Sequence, residues 1–153
     1  DQERVFVGGP TGALECTEIA TGHSTVWTNA FVGSLTSLAV LPDNHSLFAA
    51  GRGGGLKKID WPTRTASDLP ASLLAISAMA ISPTGTRLAT GDLQGFVRLW
   101  DVDSLREIAV LGKHQGRVNG IQFQPDGHTI LSVDAADLRI WRGGSAQSTA
   151  QLP

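Results

Sequence analysis

The chain has 153 residues, with no tyrosine, one cysteine and one methionine. A lone Cys16 cannot close an internal disulfide, and it excludes a zinc site built from several cysteines. His23, His45, His114 and His128 show neither i, i+2 nor i, i+4 spacing, and there is no His-Glu-x-x-His. Charge of one sign is also missing: 12 Lys and Arg stand against 14 Asp and Glu, a net charge of −2. That balance argues against a nucleic-acid partner and against a polybasic membrane surface. No apolar run approaches the roughly 20 residues of a membrane helix. The opening Asp1-Gln2-Glu3-Arg4 does not read as a basic-plus-apolar targeting segment. Helical periodicity over ten or more residues is missing too, Ala71–Ile81 coming nearest.

Catalytic signatures are equally sparse. There is no Gly-x-Ser-x-Gly, and no Cys/His pair suggests a nucleophile. Gly8-Gly9-Pro10-Thr11-Gly12 and Gly51-Arg52-Gly53-Gly54-Gly55 lack the terminal Gly-Lys-Ser/Thr and the following helix that a phosphate loop needs. They read as hairpin turns in which glycine supplies φ > 0. The sequence therefore predicts no catalytic residue, no cofactor and no metal site.

What is present is repetition. Eighteen glycines and seven prolines punctuate short runs of alternating or wholly apolar residues. Leu35–Val40 ahead of Leu41-Pro42-Asp43-Asn44, Ile76–Ile81 ahead of Ser82-Pro83-Thr84-Gly85, and Val118–Phe123 ahead of Gln124-Pro125-Asp126-Gly127 are versions of one strand closed by a Pro-led turn. Pro42, Pro83 and Pro125 recur 41 and 42 residues apart. Leu47–Gly51, Leu88–Gly91 and Ile130–Val133 form a second set, joined by Val5–Gly8 with no first strand ahead of it. A third set is Ala13–Cys16, Leu56–Ile59, Phe96–Trp100 and Leu138–Trp141, aligned on Cys16, Ile59, Leu99 and Ile140. Weaker fourth strands follow at Ser24–Thr28, Thr65–Leu69, Arg106–Leu111 and Ser145–Leu152. The reading is an all-β protein of four-stranded units repeating about every 41 residues.

Several features take ordinary structural readings. Cys16 is a small buried hydrophobe at an apolar strand position. Met79, Phe96, Phe123 and Trp27 are packing residues, and His45 and His128 follow Pro-Asp turns and are exposed. Asn44-His45-Ser46 matches a glycan-acceptor pattern that often occurs by chance. Arg52, Lys57 and Lys58, with Asp60 beside them, read as a solvated edge.

A repeat of 40–45 residues carrying four strands is the signature of a propeller blade. Leu88–Asp101, ending in Trp100-Asp101, resembles the closing half of a WD repeat. Gly112-Lys113-His114 resembles that family's Gly-His start, and Pro125-Asp126-Gly127 with Arg139-Ile140-Trp141 continues the match. The resemblance implies a β-propeller of four-stranded antiparallel blades over about residues 5–150. The blades fall at 5–28 (incomplete), 35–69, 76–111 and 118–152. It also implies a hydrogen-bonded network in the last blade, from His114, Ser132 and Trp141 with Asp134 or Asp137 as the acid. The blade before it would offer Thr90 and Trp100, with Gln94 at the Asp position and Ser72 at the His position. In the second repeat Asp60 replaces the Trp, with Trp61 one place late; in the first, Thr17 stands there.

In this family the turns between second and third strands lie with the blade links on one face of the disc. That face would expose Arg52, Asp92, Gln94, Gln115 and Arg117 to a partner. The implied function is a non-catalytic scaffold binding a protein or peptide. The alternative is a regulatory or substrate-recruiting segment of a larger enzyme whose catalytic domain lies outside this chain. At about 41 residues per repeat the chain holds about 3.7 blades. The family usually closes with seven, which points to a segment of a longer propeller. Pairing of two copies and a small four-bladed ring are the other ways to cover the open faces.

Overall fold

The computed structural model describes residues 3–28, 30–53, 55–69 and 75–142, and the backbone of a last strand at Ser145–Gln151. Among them lie fifteen strands in four antiparallel sheets and no helix. The first sheet is β1 (Arg4–Gly8), β2 (Leu14–Glu18) and β3 (Ser24–Trp27). The second is β4 (Leu35–Val40), β5 (Ser46–Gly51), β6 (Leu56–Asp60) and β7 (Thr65–Asp68). The third is β8 (Ile76–Ile81), β9 (Arg87–Asp92), β10 (Phe96–Asp101) and β11 (Glu107–Lys113). The fourth is β12 (Gly120–Phe123), β13 (Ile130–Val133), β14 (Asp137–Arg142) and β15 (Ser145–Gln151). Each is a meander with strands in sequence order, so consecutive turns alternate between two ends. Of the nearest helical candidate, residues 76–81 form β8, and residues 71–74 lie outside the described residues.

The left-handed backbone positions mark the repeat. Asn44 (φ 59), Gly85 (φ 73) and Gly127 (φ 69) close the first turn of successive sheets. Gly22 (φ 66), Arg64 (φ 53) and Leu105 (φ 56) close the third. Register then corrects two alignments. Leu47 pairs with Ile59 where Leu88 pairs with Trp100, so Ile59 takes the tryptophan place and Asp60 the aspartate place. Asp60 accepts from Thr63, as Asp101 accepts from Ser104. Trp61 stands in the place of Val102: its N–H reaches His45 O as that of Val102 reaches Thr86 O. Leu56 and Ile59 are both fully buried, on opposite faces of β6, so apolarity alone could not choose the register. In the third sheet Phe96, not Gln94, matches Asp137, since Val97 pairs with Gly91 as Leu138 pairs with Val133.

Sheets stack face to face through apolar clusters. Phe6, Leu14, Cys16 and Phe31 meet Leu47, Ala49 and Ile59 between the first and second. Phe48, Ala50 and Leu56 meet Met79, Leu88 and Trp100 between the second and third. Ala89, Val97 and Leu99 meet Val118, Phe123, Ile130 and Trp141 between the third and fourth. The innermost strands are tied as well. Thr36, at a bulge in β4, donates its hydroxyl to Ile76 O at 2.8 Å, and Ser77, at the matching bulge in β8, donates to Val118 O at 2.6 Å.

A steric rule accompanies these bonds. Gly8, Ala50, Gly91 and Val133 hold one place on the second strand of each sheet. A Cβ on Gly8 would lie 2.8 Å from Leu35, and one on Gly91 would lie 2.4 Å from Val118 Cγ1. The small residue is the socket for the branched residue at or just before the start of the next inner strand. Gly91→Ala is expected to destabilise the fold by about 1–3 kcal/mol, as overpacking does. Urea titration should show Val118→Ala partly relieving that loss in the double variant; strictly additive losses would refute the socket.

Candidate functional site

Two features on the turn-and-link end of the sheets bear on function: a buried polar strut and an exposed cleft. The strut lies between the third and fourth sheets. His114 opens the link that follows β11, Ser132 is on β13, and Asp137 and Trp141 are on β14. Trp141 Nε1–H donates to Ser132 Oγ at 2.8 Å. Ser132 Oγ lies 2.7 Å from His114 Nε2, and His114 Nδ1 lies 2.6 Å from Asp137 Oδ1. A carboxylate can only accept, so the protons run one way: indole to hydroxyl, hydroxyl to Nε2, and Nδ1–H to Asp137. Arg139 Nε and Nη2 close on Asp137 Oδ2 at 3.1 and 3.0 Å.

Of the two candidate acids, Asp137 makes the direct bond; Asp134 Oδ1 stays 3.8 Å from His114 Nδ1. Asp134 holds the turn instead. Its Oδ1 accepts from the N–H groups of Ala136 and Asp137, and its Oδ2 from that of Gly116. The backbone N–H groups of Asp137 and Ala136, then that of Gly116 and the nearby His114, lower the Asp134 carboxyl to about 2. The one-residue-shorter turn explains why spacing left both acids open.

A Ser–His–Asp line of this geometry invites comparison with a nucleophilic triad. Here Ser132 and His114 are 2% and 1% exposed, and the serine oxygen is already committed to the tryptophan N–H. No acyl carbon can reach that oxygen in the folded state. His114, Asp134 and Asp137 also bring potential metal-ligand atoms within 4.8 Å of one another. Those atoms are occupied by the bonds just described, and the 2.6 Å contact leaves no space for an ion between its partners. The arrangement's chemistry is cohesion: it fixes the link and its turn over a buried tryptophan.

The third sheet carries a reduced version. Trp100 Nε1 donates to Thr90 Oγ1 at 2.9 Å, both residues being buried. Phe96 stands where Asp137 stands in the fourth sheet. Arg98 therefore turns to Glu107 at 3.1 Å, and its Nε lacks a hydrogen-bond partner among the described residues. Asp92 matches Asp134. Its Oδ1 accepts from the N–H groups of Gln94 and Phe96, while Oδ2 has no partner among the described residues. Position 74, where Gly116's counterpart falls, and Ser72 lie outside the described residues.

The cleft opens on the same end. Ser34, Thr36, Arg52, Ala75, Ile76, Ser77, Leu93 and Arg117 line about 340 Å³ across the second, third and fourth sheets. Paired backbones frame it, Arg52 N–H to Ser34 O and Leu93 N–H to Ala75 O, at 2.8 and 3.1 Å. Of the five residues expected on this face, Arg52, Gln94, Gln115 and Arg117 are exposed, and the two arginines flank the cleft. Asp92 is a correction. It is 4% exposed, because the turn's N–H groups draw its carboxylate inward. Leu93, which the sequence reading passed over, is 49% exposed at the cleft. Its signal was an apolar residue inside a polar turn.

Blades of this architecture define a β-propeller, and comparison with known proteins identifies the kind. A model of the WD domain, G-beta repeat family matches residues 65–101 and 105–142. The chain belongs to the WD-repeat family. It is 38% identical over 85 residues to the WD repeat-containing protein VIP3 of Arabidopsis thaliana, covering 52% of this chain and 26% of that protein. It is 31% identical over 166 aligned positions to human transducin beta-like protein 3, covering 78% and 20%. A 62-residue stretch is 39% identical to the mouse U5 small nuclear ribonucleoprotein 40 kDa protein, covering 40% and 17%. The chain thus spans about a quarter or less of the relatives it matches.

The strut makes a graded prediction. Ser132→Ala strands two buried nitrogens, on His114 and Trp141, whereas Thr90→Val strands only Trp100 Nε1. At about 1–3 kcal/mol per stranded buried group, Ser132→Ala should lose roughly twice the stability in urea denaturation. Equal losses would contradict the shared bond at Ser132.

Proposed function

We propose that this chain is a protein-interaction scaffold that presents its turn-and-link face to a protein or peptide. WD-repeat proteins generally act as such scaffolds, and the reading here rests on the Arg52–Arg117 cleft. Two exposed guanidiniums, without an ion pair among the described residues, border an opening framed by backbone pairs and by the turn that buried Asp92 holds. Loops held by a rigid scaffold lose little entropy on binding. The test is to capture the natural partner with the unaltered protein, then with an Arg52→Ala, Arg117→Ala variant and an Arg64→Ala, Arg106→Ala variant of the opposite face. Loss of capture only in the first pair is expected. Loss only in the second would move the interface to the other face.

We further infer that these blades belong to a larger ring. Val5 and Val7, on the face of the first sheet turned away from the second, are 47% and 53% exposed, while Leu47 and Ala49 at the matching places of β5 are fully buried. At the other end Leu131, Leu138 and Ile140 are half-buried, where Ala89, Val97 and Leu99 are covered. Stacked blades bury such faces against a neighbour. The four blades alone should self-associate in sedimentation at micromolar concentration. A lasting monomer with both ends open would overturn this reading.

A further inference from the structure

Charge is divided unevenly between the two ends of the sheets. On the turn-and-link end, the described carboxylates of the turns are Asp92, Asp134 and Asp137, all buried and turned to internal donors. Asp68, where the outer strand reaches this end, has its side chain 74% exposed but is held by Lys57 at 3.1 Å. The cations behave oppositely, Arg52, Lys113 and Arg117 all being exposed. At the other end, Asp43, Asp60, Asp101, Asp103 and Asp126 lie in the surface turns. A chain of net charge −2 therefore shows one face on which, among the described residues of the turns and links, the exposed charge outside ion pairs is cationic.

From this we propose that the cleft receives an acidic peptide, with a carboxylate side chain at each arginine and an apolar side chain on Leu93 between them. The inference rests on the scaffold reading above and names the chemistry of its partner. A guanidinium binds a carboxylate through two parallel N–H···O bonds, and neither arginine must first break an internal ion pair to do so. Leu93 supplies apolar contact, and Ser34, Thr36 and Ser77 line the cleft beside it. Nucleic acid fits less well. It calls for an array of cations tracking phosphates and for aromatic platforms, and among the described residues this cleft is lined by two arginines and no aromatic.

The experiment uses the full-length protein and a fluorescein-labelled ten-residue peptide of alternating Glu and Leu, read by fluorescence polarisation. The same peptide with Gln for Glu, a phosphoserine version and a labelled oligouridine are run beside it. The Glu peptide is expected to bind, and Arg52→Gln and Arg117→Gln should each weaken it about tenfold. The Gln peptide should be weakened similarly, while Arg106→Gln on the opposite face should change nothing. Circular dichroism melting of each variant shows that the fold is retained. If Gln and Glu peptides bind equally and both arginine variants weaken them, the loop-face scaffold stands and acidic recognition falls. If only the phosphoserine peptide or oligouridine binds, the acidic-peptide assignment is overturned. If no peptide binds, the acidic-peptide assignment is overturned, and if the natural partner also maps to the opposite face the turn-and-link-face reading falls with it.

Discussion

A four-stranded sheet that is apolar on both faces persists only where both faces are covered. That constraint shapes everything described here. It makes each sheet depend on its neighbours, so packing between sheets matters as much as pairing within them. The closest approach is at the socket, where Gly8, Ala50 or Gly91 leaves space for Leu35, Ile76 or Val118. Beside it, the hydroxyls of Thr36 and Ser77 tie one inner strand to the next across the same seam. At a spacing set by a missing side chain, neither blade can slide or tilt without loss of contact.

The polar strut follows from the same geometry. Covering a blade buries the link that enters it, and a buried link must satisfy its polar groups internally. The last blade does so completely, through the line from Trp141 to Asp137 and the Asp134 turn. In the preceding blade Phe96 takes the acid's place, so Arg98 turns to a glutamate and cation–π contact with Phe96, its guanidinium 5.1 Å from the ring. Because the turn carboxylates at this end are consumed in holding turns and Asp68 is paired with Lys57, the exposed charge outside ion pairs among the described turns and links is cationic. The face's charge is thus a by-product of how its loops are rigidified.

Much was legible in the chain. Prolines every 41 or 42 residues, Trp100-Asp101 and Gly112-Lys113-His114 carried the class and the repeat. Turn chemistry carried the strand ends. The register of β6 was not legible, because a strand buried on both faces gives no alternation to count. A cue lay nearby in Asp60-x-x-Thr63, which matches Asp101-x-x-Ser104. Asp92 was placed on the surface for a related reason: a turn aspartate looks exposed until its backbone donors are seen to fold it inward.

The sequence by itself determined the all-β class, the blade length and the family, because these depend on local turn chemistry and periodic spacing, which a linear string records. Only the tertiary structure decided which acid meets His114, which residue sits at the tryptophan place of the second blade, and that Arg52 and Arg117 share one cleft around Leu93. Those outcomes depend on strand register and on contacts between segments distant in the chain, 23 residues for His114 and Asp137 and about 40 for the ties between inner strands, where a one-residue change in a turn moves a side chain to a different neighbour.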